Sequence, residues 1–124
     1  MSVTWAPGVR ESLLAWARED APHEACGLLF GDRTEGRVRL RRAERVENRH
    51  PHPARAFLLA PGALLTHGSD PELVAVWHSH PRGPAELSAA DRAGASAWPR
   101  LLQVLVVEDR VLVHPPEGVT PPVW

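Results

Sequence analysis

The apolar positions of the chain recur at helical spacing near its start and in short strand-like runs afterwards. Residues 7–20 place apolar side chains on one face and charged side chains elsewhere, which predicts an amphipathic helix that ends before Pro22. Pro61 can open a brief second helix over residues 61–68. A third helix is predicted over residues 88–98, where a following proline would close it.

Short apolar runs bounded by turn residues predict strands between these helices. Residues 73–78 and 101–108 are almost continuously apolar, as interior strands are, whereas residues 37–46 partly alternate like a half-exposed strand. The predicted strands are residues 25–31, 37–46, 56–60, 73–78, 101–108 and 111–114, and the predicted loops are residues 48–54 and 81–87. Helices interleaved with buried strands indicate an α/β layered domain.

The composition limits the number of domains and the class of partner. Of 124 residues, 44% are apolar, so we expect one domain over residues 1–124, with a core over about residues 7–114 and a proline-rich tail over residues 115–124. A net charge of -1 argues against a protein that binds nucleic acid by neutralising phosphates. No apolar run is long enough to span a membrane. The single cysteine excludes an internal disulfide and fits a reducing compartment, so we expect a cytoplasmic protein.

Two histidines one residue apart, His78 and His80, stand at the end of the predicted strand 73–78. Alternate side chains of an extended chain point to the same side, so both imidazoles can reach one metal ion. The plainer interpretation is a pair of surface histidines. His50 and His52 have the same spacing, but the prolines around them favour a threefold twist that spreads the rings apart, so we interpret them as loop residues.

A serine and an aspartate follow at a spacing that has two interpretations. Seven residues separate His80 from Ser88, and Asp91 lies three positions further on. The plainer interpretation is a capping box that opens the third helix. Capping does not exclude metal binding, because a carboxylate in the first helical turn can point toward the end of the preceding strand. Two imidazoles and one carboxylate fill three positions of a tetrahedral zinc and leave the fourth for water, as in catalytic sites.

A hydrolytic site also needs a base, and Glu24 lies just before the predicted strand 25–31. A charged residue at the end of an apolar strand is often only a solvated edge, and the composition leaves that interpretation open. Other metal patterns are missing: H-E-x-x-H fails because position 27 is glycine, and a deaminase needs a C-x-x-C pair. Cys26 has the features of a packed apolar residue rather than a nucleophile.

Together these residues resemble the motif of the JAMM (MPN+) zinc metalloprotease family. The match consists of Glu24 within E-A-C-G-L-L-F-G, the H-S-H-P stretch that begins at His78, and Ser88 and Asp91 at the family spacing. It spans roughly residues 11–114. The resemblance implies a JAB1/MPN fold similar to that of cytidine deaminases, in which a mixed β-sheet is flanked by helices.

The resemblance also implies a role for each motif residue. His78, His80 and Asp91 would bind Zn²⁺. Glu24 would act as the general acid and base that activates water and then protonates the leaving amine. Ser88 would donate a hydrogen bond to the oxyanion of the tetrahedral intermediate.

The implied activity is that of a zinc-dependent (iso)peptidase that cleaves after the C-terminal glycine of a small ubiquitin-like or sulfur-carrier protein. The Gly-Gly tail of such a carrier would lie along a strand edge. An alternative within the same class is the release of cysteine from a sulfur carrier during cysteine biosynthesis. An alternative from another class is a non-catalytic MPN scaffold, which would lack stoichiometric zinc. The sequence leaves open whether the chain forms a homodimer.

Overall fold

The computed structural model describes residues 2–115, which form a six-stranded sheet and three helices. The strands are β1 (Ser2–Trp5), β2 (Cys26–Thr34), β3 (Arg37–Val46), β4 (Leu73–Ser79), β5 (Leu102–Val107) and β6 (Arg110–His114), and the helices are α1 (Val9–Asp20), α2 (Pro61–His67) and α3 (Ala89–Ala95). The predicted tail, residues 115–124, lies outside the described residues apart from Pro115. Within the described range, no helix has the length and apolar content needed to cross a bilayer.

The sheet mixes parallel and antiparallel pairs in the order β1-β3-β2-β4-β5-β6. β1 runs parallel to β3 and β4 runs parallel to β5, while the other three pairs are antiparallel. β4 lies between β2 and β5 and is buried along its whole length, as its continuous apolar run predicts. The expected α/β class, with a mixed sheet flanked by helices, is confirmed.

Side chains of β4 enter two apolar clusters on opposite faces of the sheet. Trp77 packs on the α1 side, where its ring stacks on Trp16 with 5.7 Å between centroids. Val76 packs on the other side, in a cluster that includes Leu64 of α2. His78 follows Val76 by two positions and therefore lies on the α2 face. The end of β4 thus presents its histidine away from α1.

The predicted strand over residues 56–60 is wrong, because only an isolated bridge between Asn48 and Leu59 forms there. Two backbone hydrogen bonds accompany this bridge, from the Arg49 N–H to the Leu58 carbonyl and from the Ala60 N–H to the Glu47 carbonyl, and the Asn48 side chain supplies two more. Its amide nitrogen donates to the Ala56 carbonyl at 3.0 Å, and its carbonyl oxygen accepts the Leu58 N–H at 3.0 Å. Backbone groups satisfied by a side chain do not need a neighbouring strand.

Three further elements differ from the sequence prediction by more than two residues. β2 runs to Thr34 rather than ending at residue 31, because residues 31–34 continue its antiparallel pairing with β3. The third helix ends at Ala95 rather than at residue 98, because the Trp98 N–H donates to the Ala95 carbonyl three positions back and the chain tightens into a turn before Pro99. β1 was not predicted at all. Its four residues are too few to give a periodic signal, and it exists by pairing with β3, which lies more than 30 residues further along the chain.

Candidate metal centre

Two imidazoles meet at the end of β4. His78 is fully buried and His80 is 5% exposed, and their Nε2 atoms lie 3.1 Å apart. His80 Nδ1 lies 2.9 Å from the Pro84 carbonyl oxygen, so this nitrogen carries a proton, and Nε2 presents a lone pair when the imidazole is neutral. The His78 ring is held differently, by stacking on Phe57 with 4.3 Å between centroids.

The stretch from Ser88 to Asp91 forms the predicted capping box and also reaches the histidines. Ser88 Oγ accepts the Asp91 backbone N–H at 3.0 Å, and Asp91 Oδ2 accepts the Ser88 N–H at 2.9 Å. The same Oδ2 lies 3.1 Å from His78 Nε2 and 3.1 Å from His80 Nε2. Capping therefore fixes the carboxylate that completes a triangle with the two imidazoles.

Glu24 is the fourth member of this buried group. One side-chain atom from each of Glu24, His78, His80 and Asp91 lies within 4.8 Å of all the others. Glu24 is 5% exposed, and its Oε1 has no hydrogen-bond partner within residues 2–115. Burial raises the pKa of Glu24 from 4.5 to about 7, with His80 opposing and Asp91 reinforcing the shift. A carboxyl group that titrates near neutral pH can both take and deliver a proton.

Of the other three groups, His78 and Asp91 shift in directions that favour lone-pair donors, whereas His80 shifts toward its protonated form. Burial lowers the pKa of His78, which keeps that imidazole neutral. Burial acts in the same direction on His80, but hydrogen bonds to Asp91 and to the Pro84 carbonyl outweigh it and raise the His80 pKa. Burial alone would raise the pKa of Asp91, yet hydrogen bonds from both histidines and from the Ser88 N–H hold it well below its usual range. Asp91 is therefore an anion.

This donor set fits a divalent metal ion. The two Nε2 atoms and Asp91 Oδ2 form a triangle with 3.1 Å edges, and ligand atoms that share a tetrahedral zinc are about 3.3 Å apart. His80 Nε2 and Asp91 Oδ2 are both acceptors when His80 donates through Nδ1, so a shared cation satisfies both atoms. The unpartnered Glu24 Oε1 lies beside the same point.

Two residues to which the sequence analysis gave no role connect Glu24 to the histidines. Ser79 Oγ accepts the Ala25 N–H at 2.8 Å, which ties the residue after Glu24 to β4. Asn48 Nδ2 donates to the Glu24 carbonyl at 2.9 Å. The position of Ser79 between the histidines is the one signal that could have indicated it. Nothing local indicates Asn48, because its partner is 24 residues away in sequence.

The remaining candidates lie where the sequence analysis expected. His50 and His52 are in a loop, with ring centroids 6.1 Å apart, and neither belongs to the four-residue group. Cys26 is fully buried, and its burial raises the thiol pKa to about 12. A thiol with so high a pKa is not a nucleophile at neutral pH, which agrees with a packed apolar role.

A mixed sheet that carries a buried His-His-Asp-Glu group at the end of an interior strand defines a class of domain. Residues 7–116 match a family model described as prokaryotic homologs of the JAB domain. The chain belongs to this family, which confirms the resemblance to JAMM metalloproteases.

Curated relatives and solved structures agree with this assignment. The chain is 33% identical over 119 residues to a desampylase of Haloferax volcanii, covering 88% of this chain and 84% of that protein. It is 38% identical over 89 residues to a probable TtuB-protein conjugate cleaving protease of Thermus thermophilus, covering 68% of this chain and 57% of that protein.

Two solution structures share the fold. A Desulfitobacterium hafniense protein has a TM-score of 0.72 at 29% identity, covering 90% of this chain and 80% of its own. A Salinibacter ruber protein has a TM-score of 0.59 at 20% identity, covering 95% and 94%. The second similarity speaks for the fold alone.

Proposed function

We propose that this protein is a zinc-dependent (iso)peptidase that hydrolyses the amide bond after the C-terminal glycine of a small ubiquitin-like or sulfur-carrier protein. The observation that carries the proposal is the triangle of His78, His80 and Asp91 with 3.1 Å edges, next to the buried and titratable Glu24. The printed names of the relatives support the substrate class, since one is a desampylase and the other is named for cleaving TtuB-protein conjugates.

The metal ligands in this proposal are His78 Nε2, His80 Nε2 and Asp91 Oδ2. Two imidazole nitrogens and one carboxylate oxygen form a donor set that suits zinc. A zinc ion held there supplies Lewis-acid polarisation of the scissile carbonyl and lowers the pKa of water to about 7. The Pro84 carbonyl keeps the His80 proton on Nδ1, which leaves Nε2 available as a ligand.

Glu24 moves the protons of the reaction. Its carboxylate takes a proton from the attacking water as the new bond to the carbonyl carbon forms, and it gives that proton to the amide nitrogen as the C–N bond breaks. The products are a carrier with a free C-terminal carboxylate and a free amine. Ser88 Oγ accepts the Asp91 N–H within the cap, so its own hydroxyl proton can be donated to the oxygen of the scissile carbonyl.

The carrier tail has a place beside Asp91. A cavity of about 300 Å³ lies there, and we name it the apolar cavity. It is lined by His50, Ala56, Phe57, Leu58, Leu59, Leu64, Val76, Ala90, Asp91, Gly94, Ala95, Trp98 and Gln103. Its walls are mostly aliphatic and aromatic, which suits apolar contacts with the carrier tail.

The test offers the purified protein a panel of small ubiquitin-fold carriers joined through their C-terminal glycine to a lysine side chain. Product release is followed by mass spectrometry, and metal content by elemental analysis. We expect Glu24→Ala to keep its zinc and lose about 10²–10⁴-fold in cleavage rate, because proton transfer is removed while the ligands remain. His78→Ala should lose both zinc and cleavage.

Matched controls come from the same chain. His52→Ala and Glu35→Ala remove the same side-chain types at exposed positions outside the four-residue group and should keep both zinc and cleavage. A Glu24→Ala protein that cleaves at the parent rate would refute the role of Glu24. A zinc-loaded parent that cleaves no carrier of the panel would refute the proposed activity.

A further inference from the structure

A second cavity meets the four-residue group from another direction and differs in chemistry from the apolar cavity. Its volume is about 230 Å³, and we name it the arginine cavity. It is lined by Pro22, Glu24, Ala54, Arg55, His80, Pro81, Arg82, Gly83, Pro84 and Ser88. The apolar cavity contains no arginine, whereas this one contains two.

The proton transfer in the proposed reaction indicates which of the two cavities each product occupies. Glu24 has to come within hydrogen-bond distance of the leaving amine in order to protonate it. Glu24 lines the arginine cavity and is not among the residues that line the apolar cavity. The amine therefore leaves through the arginine cavity, and the carrier tail occupies the apolar one. This step rests on the proposed function.

The two arginines of this cavity are not neutralised by the protein itself. Four surface arginines, Arg41, Arg42, Arg45 and Arg49, form ion pairs with carboxylates, whereas several others within residues 2–115 do not. Arg55 and Arg82 differ from those others because they share the wall of one cavity with Glu24. Within residues 2–115, the guanidinium groups of Arg55 and Arg82 form neither an ion pair nor a hydrogen bond. Two uncompensated cations on the walls of one small cavity attract an anion.

We propose that Arg55 and Arg82 bind a carboxylate carried by the leaving group. A guanidinium presents a planar fork of N–H donors that matches a carboxylate, and this match discriminates an acid from its neutral amide. Two sources have this chemistry: the α-carboxylate of an amino acid released from the carrier, and an acidic side chain next to an acceptor lysine. In both cases Arg55 and Arg82 determine specificity and leave the bond-breaking step to Glu24.

The test compares substrates that differ only in this charge. In the first pair, the carrier is extended by one alanine that ends in either a free carboxylate or a carboxamide. In the second pair, the carrier is joined to the lysine of a peptide that has either glutamate or glutamine beside that lysine. We expect the parent to favour the acid of at least one pair by about tenfold in kcat/KM, and the pair that shows the preference identifies the source. The preference should fall to about one in the variant with both Arg55→Gln and Arg82→Gln, with the neutral substrates unaffected.

Arg10→Gln is the matched control, because Arg10 lies on α1 at the opposite face of the sheet, and this variant should keep the preference. A parent that cleaves acids and amides equally overturns the proposal while leaving the proposed function intact. A preference that survives the double substitution overturns it as well.

Binding provides a readout that needs no turnover. Calorimetry on the zinc-loaded Glu24→Ala protein would compare a peptide that ends in Gly-Gly-Ala with a free carboxylate and the same peptide with a carboxamide. The lysine peptides with glutamate or glutamine would be compared in the same way. An acid should bind about tenfold more tightly than its neutral partner, and the double arginine substitution should remove the difference. Equal binding of all acids and their neutral partners would overturn the proposal even if no carrier is cleaved.

Discussion

One oxygen atom, Asp91 Oδ2, accepts the Ser88 backbone N–H at 2.9 Å and lies 3.1 Å from the Nε2 atoms of both His78 and His80. The spacing from Ser88 to Asp91 predicted a helix cap whose carboxylate could also bind a metal ion, and the observed geometry is compatible with both roles. The sequence could indicate these residues because the elements that carry them are local and periodic. It could not indicate that Phe57 stacks on His78, since no periodic pattern links a loop to a strand end.

The raised pKa of Glu24 predicts how the stability of the metal-free protein depends on pH. The folded chain keeps a proton on Glu24 up to about pH 7, whereas the unfolded chain releases it near 4.5. Stability contributed by this group is therefore present below pH 4.5 and is lost as the pH rises toward 7. Because Glu24→Gln cannot ionise, the free energy of unfolding of the variant, relative to the parent, should rise by about 1–3 kcal/mol between pH 5 and pH 8.

Urea unfolding of the chelator-treated proteins at both pH values measures this difference. Glu35→Gln, at an exposed position, is the control, and its free energy of unfolding should follow that of the parent at both pH values. A difference between Glu24→Gln and the parent that stays constant from pH 5 to pH 8 would mean that Glu24 is not protonated in the folded chain at neutral pH.

At the scale of elements, strands and helices with a clear apolar pattern were predicted and loops stabilised by a side chain were not. The strand over residues 37–46 was predicted at both ends, and the interior strand 73–78 differed by one residue. Residues 56–60 were mistaken for a strand because they are apolar, yet their backbone pairing is limited to an isolated bridge, and the Asn48 side chain supplies two of their hydrogen bonds. A side chain that makes hydrogen bonds to distant backbone groups does not change the local pattern of apolar and polar residues, so the pattern cannot predict it.

Asn48 is expected to hold the loop and Glu24 together. Its side chain makes hydrogen bonds to the backbone of Glu24, Ala56, Leu58 and His50, at 2.9 to 3.0 Å. Asn48→Ala leaves these groups without partners, and we expect the free energy of unfolding to fall by about 2–4 kcal/mol. Asn48→Asp keeps the accepting oxygen, but it turns a second, negatively charged oxygen toward the Glu24 and Ala56 carbonyls. We therefore expect it to lose at least as much stability as Asn48→Ala.

Urea unfolding of both variants against the parent checks this expectation. An Asn48→Ala protein as stable as the parent would show that the loop does not depend on these hydrogen bonds. An Asn48→Asp protein as stable as the parent would contradict the role of the donated hydrogen bonds.

At the scale of the whole molecule, the metal-site motif could be predicted from the sequence because its spacing is typical of a strand end followed by a capped helix. The contacts that support it were not readable, because Ser79 and Asn48 act on backbone groups far away in sequence. The position of the site in the fold depends on β4 lying between β2 and β5. The apolar run predicted an interior strand, but it did not indicate which strands would flank it, because that pairing is non-local.

The central claim is that two imidazoles and one carboxylate hold one zinc ion. X-ray absorption at the zinc edge of the purified protein tests it most directly. We expect one zinc per chain, with two imidazole nitrogens and the remaining ligands oxygen, all at about 2.0–2.2 Å. His78→Ala should lose the metal, and His52→Ala should give the spectrum of the parent. Protein that binds no stoichiometric zinc when the metal is supplied, or a spectrum with a sulfur ligand at about 2.3 Å, would contradict the account.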